Sequence, residues 1–273
     1  MVSEHSKLGF TILGSGSSGN ATVIHCPGGN VLLDAGFSAK ELCVRMDRCG
    51  IAPDSIEAVL ITHEHDDHIR GCRVFADRYG IPVYETPETA REITVKGKNA
   101  KEIILISPGC KFELCGATVD PFSISHDVAD AVAYTFRTPC AKLGYATDLG
   151  CTNMLVMTKL RDCDALVLES NYEPEYLRAS GRPLETKRRI MGRHGHLSNQ
   201  DAMAALEELI SCNTKHLIFA HLSRECNCPD LVRKMAQEAL GQMQRQDILL
   251  SVASQETPLE TYWIPGRTMN DEQ

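Results

Sequence analysis

Apolar residues along this chain fall into short runs rich in β-branched side chains, separated by stretches in which they recur every three or four positions. The runs fit strands buried on both faces and the stretches fit helices packed by one stripe, so their alternation predicts a layered α/β fold. Residues 8–13, 21–25, 30–34, 58–61, 103–106, 117–124, 131–138, 142–147, 165–168 and 216–220 read as strands. Pro27-Gly28-Gly29 marks a hairpin between the second and third of these. Ser38 suits a helix N-cap, and Gly50 terminates the helix that ends near Cys49. The clearest late helix spans residues 199–211, where Ala202, Leu206 and Leu209 share a face. No linker or low-complexity segment divides the chain, so residues 1–273 are expected to form a single domain.

Composition narrows the class without naming the chemistry. A chain of 273 residues with 43% hydrophobic content can bury a large core. Its net charge of -8 and pI near 5.7 give it no overall basic footprint. An enzyme can confine positive charge to one groove, so a polyanionic substrate is neither supported nor excluded. The polar start, Met1-Val2-Ser3-Glu4-His5-Ser6-Lys7, lacks the apolar run of a signal peptide, and no stretch reaches the ~18 apolar residues of a membrane span. A soluble cytoplasmic protein with no membrane contact is expected, and the oligomeric state is open. The 12 cysteines are scattered singly and read as reduced thiols. Cys226-Asn227-Cys228 could supply half a zinc site, but no second pair stands at suitable spacing.

The chemistry enters at Thr62-His63-Glu64-His65-Asp66-Asp67-His68, directly after an apolar strand. A solvated loop has no need of three imidazoles and a carboxylate within six residues. A tight turn can aim His63 and His65 at one metal ion and Asp67 and His68 at a second, and these donors suit zinc or manganese. Each ion needs three or four ligands, so others must come from elsewhere. His126, Asp148 and His221 each follow an apolar run, and open α/β sheets gather their chemistry at such strand ends.

In this order, Asp34, residues 63–68, His126, Asp148 and His221, the chain resembles the metallo-β-lactamase-fold hydrolases over nearly its whole length. The resemblance implies a four-layer αβ/βα sandwich, two mixed sheets flanked by helices, with a dinuclear site between the sheet edges. It implies His63, His65 and His126 on one ion, Asp67, His68 and His221 on the other, Asp148 bridging, and Asp34 orienting the loop from behind. The ions would be zinc first, with manganese or iron as alternatives. An Asp at the bridging position, where the commonest zinc β-lactamases carry Cys, argues against antibiotic hydrolysis.

Four further stretches resemble one bacterial subgroup, the YycJ (WalJ) proteins: residues 13–20, Glu169-Ser170-Asn171-Tyr172, Gly195-His196-Leu197-Ser198-Asn199 and His221-Leu222-Ser223-Arg224-Glu225. That resemblance implies a 5′-exonuclease acting on double-stranded DNA. The chain departs from the subgroup at Asp66 and at Cys226, which changes no ligand but touches the substrate surroundings. Read without the family, Ser198 is a helix N-cap, which sets it and His196 beside a helix N-terminus that favours a phosphate. A similar position in tRNase Z enzymes implies that His196 is the general acid and Glu169 its orienting partner. Either Asp67 or Asp148 would orient the attacking hydroxide.

Arg182, Lys187, Arg188, Arg189 and Arg193 form a basic segment in an acidic protein, readable as phosphate contacts or as a solvated helix face. Arg70 and Arg224 flank metal motifs and could meet the scissile phosphate. The leading expectation is a phosphodiester hydrolase that cuts DNA. The alternative is a small-molecule hydrolase, a cyclic phosphodiesterase or thioesterase, with the same ligands and another groove. A metal-stabilised binding module is the non-enzymatic alternative, which seven ligands and an acid disfavour.

Overall fold

A computed structural model of the protein describes residues 7–267. The polar stretch 1–6, read above for the absence of a signal peptide, lies outside the described residues, as do 268–273. Among the described residues no helix is long and apolar enough to cross a membrane.

The first half of the chain builds one seven-stranded sheet. Its strands are β1 (Gly9–Gly14), β2 (Ala21–Cys26), β3 (Gly29–Leu33), β4 (Ile56–Leu60), β5 (Val83–Glu85) and β6 (Ile103–Leu105). The helices α1 (Ala39–Arg48), α2 (Asp66–Ile69), α3 (Cys72–Tyr79) and α4 (Pro87–Val95) connect them. The second sheet holds β7 (Phe112–Leu114), β8 (Ala117–Ser123), β9 (Val132–Thr138), β10 (Ala141–Ala146), β11 (Ala165–Glu169), β12 (His216–Ala220) and β13 (Leu249–Val252). Its helices are α5 (Met154–Leu160), α6 (Pro174–Ala179), α7 (Leu184–Ile190), α8 (Asn199–Leu209) and α9 (Pro229–Gln242). The last strand, β14 (Tyr262–Trp263), returns to the first sheet beside β1.

The strand orders are β14-β1-β2-β3-β4-β5-β6 and β13-β12-β11-β10-β9-β8-β7. Each sheet is mixed. β3 to β6 run parallel in the first, and β10 to β13 run parallel in the second. Because side chains alternate across a pleat, a strand covered on both faces carries apolar residues at every position. Ile24, Leu33, Leu60, Tyr134, Leu143 and Val167 fill the layer between the sheets. Val23, Leu32, Val59 and Ile61 face the other way, with Leu42 and Met46 of α1 and Phe75 of α3. Phe122, Ala146, Leu168 and Phe219 pack outward with Leu160 of α5, Leu206 of α8 and Val232, Ala236 and Leu240 of α9. The result is the expected helix–sheet–sheet–helix layering.

Ser38 caps α1 by accepting from Glu41 N, and Gly50 follows at φ 70°. The sequence reading passed over the longest late helix. α9 has 14 residues, but its buried stripe consists only of Val232, Ala236 and Leu240, too narrow to stand out among its polar neighbours. It also passed over β5, β7, β13 and β14, which at two to four residues are too short to show a period.

Candidate metal centre

Every residue proposed for the metal site leaves a strand at one common edge. β3 runs into Asp34, β4 into residues 61–65, β8 toward His126, β10 toward Asp148 and β12 into His221, while β11 ends on Glu169. β8 is antiparallel to β9, which is antiparallel to β10, so β8 points the same way as β10, β11 and β12, just as β3 and β4 run parallel in the other sheet. Asp34, Asp148 and His221 adopt φ of 59°, 56° and 57°. That left-handed backbone costs a non-glycine residue on the order of 1 kcal/mol or more. Here it turns each side chain sharply off its strand end and into one space. Gly36 lets the loop pack closely, since a Cβ there would stand 1.6 Å from Asp67 O.

The ligand atoms of His63, His65 and His126 lie within 4.8 Å of one another, as do those of Asp67, His68 and His221. Asp148 groups with His63 and His68 on one side and with Glu169, His196 and His221 on the other. Its Oδ2 is 3.2 Å from His68 Nε2, and its Oδ1 is 3.4 Å from His221 Nδ1 and 3.8 Å from His126 Nε2. The structure thus brings all seven residues together, with Asp148 in the middle.

The donor set fits cations. Among the described residues, Asp148 Oδ2 and His221 Nε2 are buried without a well-aligned hydrogen-bond partner, an arrangement that native structures rarely leave uncompensated. His63 is fully buried, and burial, with the neighbouring His68, holds its pKa well below the ordinary value, so its lone pair is free. Burial works against a charged His68, yet Asp34, Asp148 and Asp67 outweigh it and raise its pKa well above normal. Burial likewise opposes the ionised form of Asp148, and His221 and His68 outweigh it, so that this carboxyl stays well below the usual range. Carboxylate charge concentrated among imidazole nitrogens is the donor set that a divalent metal ion takes.

Behind the ligands stands a set of orienting groups. Asp34 Oδ2 accepts from His68 Nδ1 at 2.7 Å and Asp34 Oδ1 accepts from Thr62 N at 2.9 Å, which turns His68 Nε2 toward the centre. Fully buried Glu169 does more than the sequence suggested. Its Oε1 lies 2.9 Å from His196 Nδ1 and 2.8 Å from His221 Nδ1, while Oε2 accepts from Leu149 N and Leu197 N. Burial favours its neutral form, but the two histidines dominate and lower its pKa to about 2. Sequence reasoning missed Asn171, whose Nδ2 donates to the His221 carbonyl at 2.7 Å, and Ser15, whose Oγ accepts from His221 N at 3.0 Å. It also missed the Gly195 carbonyl, 3.1 Å from His126 Nδ1. Backbone groups carry no sequence signal, but Ser15 and Asn171 sat inside quoted motifs.

A cavity of about 230 Å³ opens over the centre, lined by His65, Asp67, Asp148, His196, His221 and, from α7 and the segment before it, Arg182 and Arg189. His196 N donates to Ile190 O at the end of α7, which fixes the basic helix beside His196. Arg189 pairs with Asp127, the residue after His126, and Arg182 Nε donates to Glu225 at 2.8 Å.

The other tentative phosphate contacts are not brought there. Arg188 and Arg193 are exposed and do not line the cavity. Arg70 donates to Ser18 O, and Arg224 pairs with Glu256. Ser198 caps α8 as expected. Its hydroxyl, however, accepts from Asp201 N and donates to Asp201 Oδ2 at 2.6 Å, and the residue is 3% exposed, so the hydroxyl is engaged at the start of α8. Cap geometry consumes the hydroxyl that the sequence reading had left free.

Residues 29–222 match the beta-lactamase superfamily domain. The chain is 33% identical over 235 residues to exodeoxyribonuclease YycJ of Bacillus anthracis, covering 85% of this chain and 89% of that one. It is 32% identical over 252 residues to exodeoxyribonuclease WalJ of Streptococcus pneumoniae, covering 86% and 92% respectively. Among solved structures, the metallo-beta-lactamase fold protein YhfI from Bacillus subtilis superposes with a TM-score of 0.69 at 17% identity, over 93% of this chain and 99% of that one. At that identity the likeness shows the fold alone.

Proposed function

This chain belongs to the β-lactamase superfamily and, within it, to the YycJ/WalJ group, and from that premise we propose that it is a dinuclear-metal phosphodiester hydrolase that removes nucleotides from the 5′ end of DNA. The fold and the donor set imply divalent metal ions. The observation that carries the nuclease reading is the union, in one cavity, of the clustered ligands, the His196–Glu169 pair and two arginines. Names borne by the two relatives point the same way.

His63, His65 and His126 would hold one ion, Asp67, His68 and His221 the other, and Asp148 would touch both. Bound there, two divalent cations, zinc by our reading, neutralise a phosphoryl oxygen and acidify a water to near neutrality. The chain's own residues do the rest. Arg182 and Arg189 hold flanking phosphates, exchanging Glu225 and Asp127 for the substrate. Asp67 and Asp148 accept hydrogen bonds that align the attacking oxygen. His196, with Nδ1 turned to Glu169, presents Nε2 to the leaving oxygen as the proton donor. Burial opposes the charged form of His196, but Glu169 outweighs it and raises the pKa above its ordinary value, which favours the proton-bearing form that a general acid needs.

The test is incubation of the purified protein with zinc or manganese and end-labelled single- and double-stranded DNA, RNA and bis(p-nitrophenyl) phosphate. Stepwise release of nucleotides from the 5′ end of duplex DNA is expected. Turnover of the small diester with every nucleic acid left intact would overturn the nuclease reading in favour of a small-molecule hydrolase.

A further inference from the structure

On the outer face of the second sheet, at the end of the strands away from the metal centre, lies a cleft of about 270 Å³. Thr118 and Asp120 of β8, Thr135 and Arg137 of β9 and Lys142 of β10 form its floor, with Lys159 of α5 and Lys111, directly before β7, at its walls. The same outer face is apolar beneath the helices nearer the metal centre, where Phe122, Ala133 and Ala146 pack. The change from apolar to basic is therefore local to one end of the sheet.

Four cations surround one carboxylate. Asp120 accepts from Lys159 at 2.7 and 2.9 Å and stands 3.8 Å from Lys111. Arg137 joins no ion pair among the described residues, and Lys142 Nζ donates only to the carbonyl of Arg161, at the C-terminus of α5. Arg137 and Lys142 face each other directly across the antiparallel pair β9–β10. Like charges in that relation destabilise a sheet unless something negative joins them. Thr135, 5% exposed, lines the cleft and makes no side-chain hydrogen bond among the described residues. In a chain of net charge -8, two of these four cations, Arg137 and Lys142, stand in the cleft with no ion-pair partner among the described residues.

We propose that this cleft is a second anion site that binds a phosphate group, separate from the metal centre. Arg137 and Lys142 supply charge-assisted donors and Thr135 a neutral one, while Lys159 stays anchored on Asp120. Among the described residues no aromatic side chain lines the cleft, so nothing there stacks a base, and recognition rests on the phosphate group itself. Strand lengths place it about 20 Å from the ligands, beyond the reach of a scissile phosphate bound there.

Backbone amide NMR on the metal-loaded protein, titrated with inorganic phosphate, resolves the two sites. Saturable shifts at Thr118, Thr135 and Arg137 are expected. In a Lys111→Glu/Arg137→Glu variant they should occur about tenfold more weakly, whereas shifts at Asp148 and His221 and cleavage of bis(p-nitrophenyl) phosphate stay as in the parent. Both replaced side chains are exposed, so the variant keeps its core. The proposal is overturned if these amides do not respond in the parent protein, or respond equally in the variant. It is also overturned if duplex DNA moves them while inorganic phosphate does not, since the surface is then a nucleic-acid contact.

Discussion

His221 Nδ1 stands 2.8 Å from Glu169 Oε1, the same oxygen that lies 2.9 Å from His196 Nδ1. One buried carboxylate therefore sets the orientation of a candidate metal ligand and of the proposed proton donor together.

Replacing Glu169 with Gln keeps the shape but removes the charge that fixes both rings. Activity should fall by about 10- to 100-fold, with metal affinity falling alongside it, the usual range for a group that orients a ligand. A variant that loses turnover at full metal content would restrict Glu169 to His196. A variant with parental kinetics and metal content would remove it from the site's machinery.

Asp148→Asn retains a residue that tolerates the left-handed backbone at φ 56° while withdrawing the central carboxylate charge. Turnover should drop more than about 100-fold and bound metal should fall from two equivalents, with far-ultraviolet circular dichroism unchanged. Chelation of the parent should lower its melting temperature, and zinc or manganese should restore it, because ions that bind only the folded state stabilise it by mass action. Two equivalents of metal and full activity in Asp148→Asn would sink the bridged pair.

Arg182 and Arg189 line the cavity, whereas Arg193 and Arg224 do not. Arg182→Ala/Arg189→Ala should raise the KM for DNA about tenfold or more and reduce the slope of log affinity against log salt by about two. Cleavage of bis(p-nitrophenyl) phosphate should change far less. Arg193→Ala and Arg224→Ala serve as the matched pair and should leave both values near parental.

Ser198→Ala removes the α8 cap and should cost about 1 kcal/mol in urea unfolding. With its hydroxyl held by Asp201, the salt dependence of DNA cleavage should not move. A shifted salt slope in this variant would reinstate Ser198 as a phosphate contact.

Glu85, 1% exposed and in no ion pair among the described residues, has its pKa raised by burial from 4.5 to about 7. A raised carboxyl pKa means that the folded state holds the proton more tightly. Its contribution is therefore fully present below about pH 4.5 and is lost as pH rises through about 7. Glu85→Gln should abolish that slope and stabilise the protein at pH 8 by on the order of 1–2 kcal/mol. Parallel stability–pH curves for parent and variant would show that burial does not perturb this carboxyl.

The layering was legible because strands covered on both faces must be apolar throughout, which leaves runs such as residues 58–61 and 216–220 unmistakable. The short strands β5 and β13 were not legible, since three or four residues cannot display a period and their pairing comes from neighbours distant in sequence. The dense spacing of residues 63–68 announced metal chemistry locally. His126, Asp148 and His221 were found only by their common position after apolar runs.

The sequence by itself determined the fold class and which residue types stand at the strand ends, because burial and side-chain alternation act over a few neighbours. Only the tertiary structure decided that Glu169 serves two histidines, that Arg182 and Arg189 rather than Arg188 and Arg193 meet the cavity, and that Ser198 is spent on its own helix. Those outcomes turn on distances of about 3 Å between groups up to 52 positions apart, and packing of the whole chain sets them.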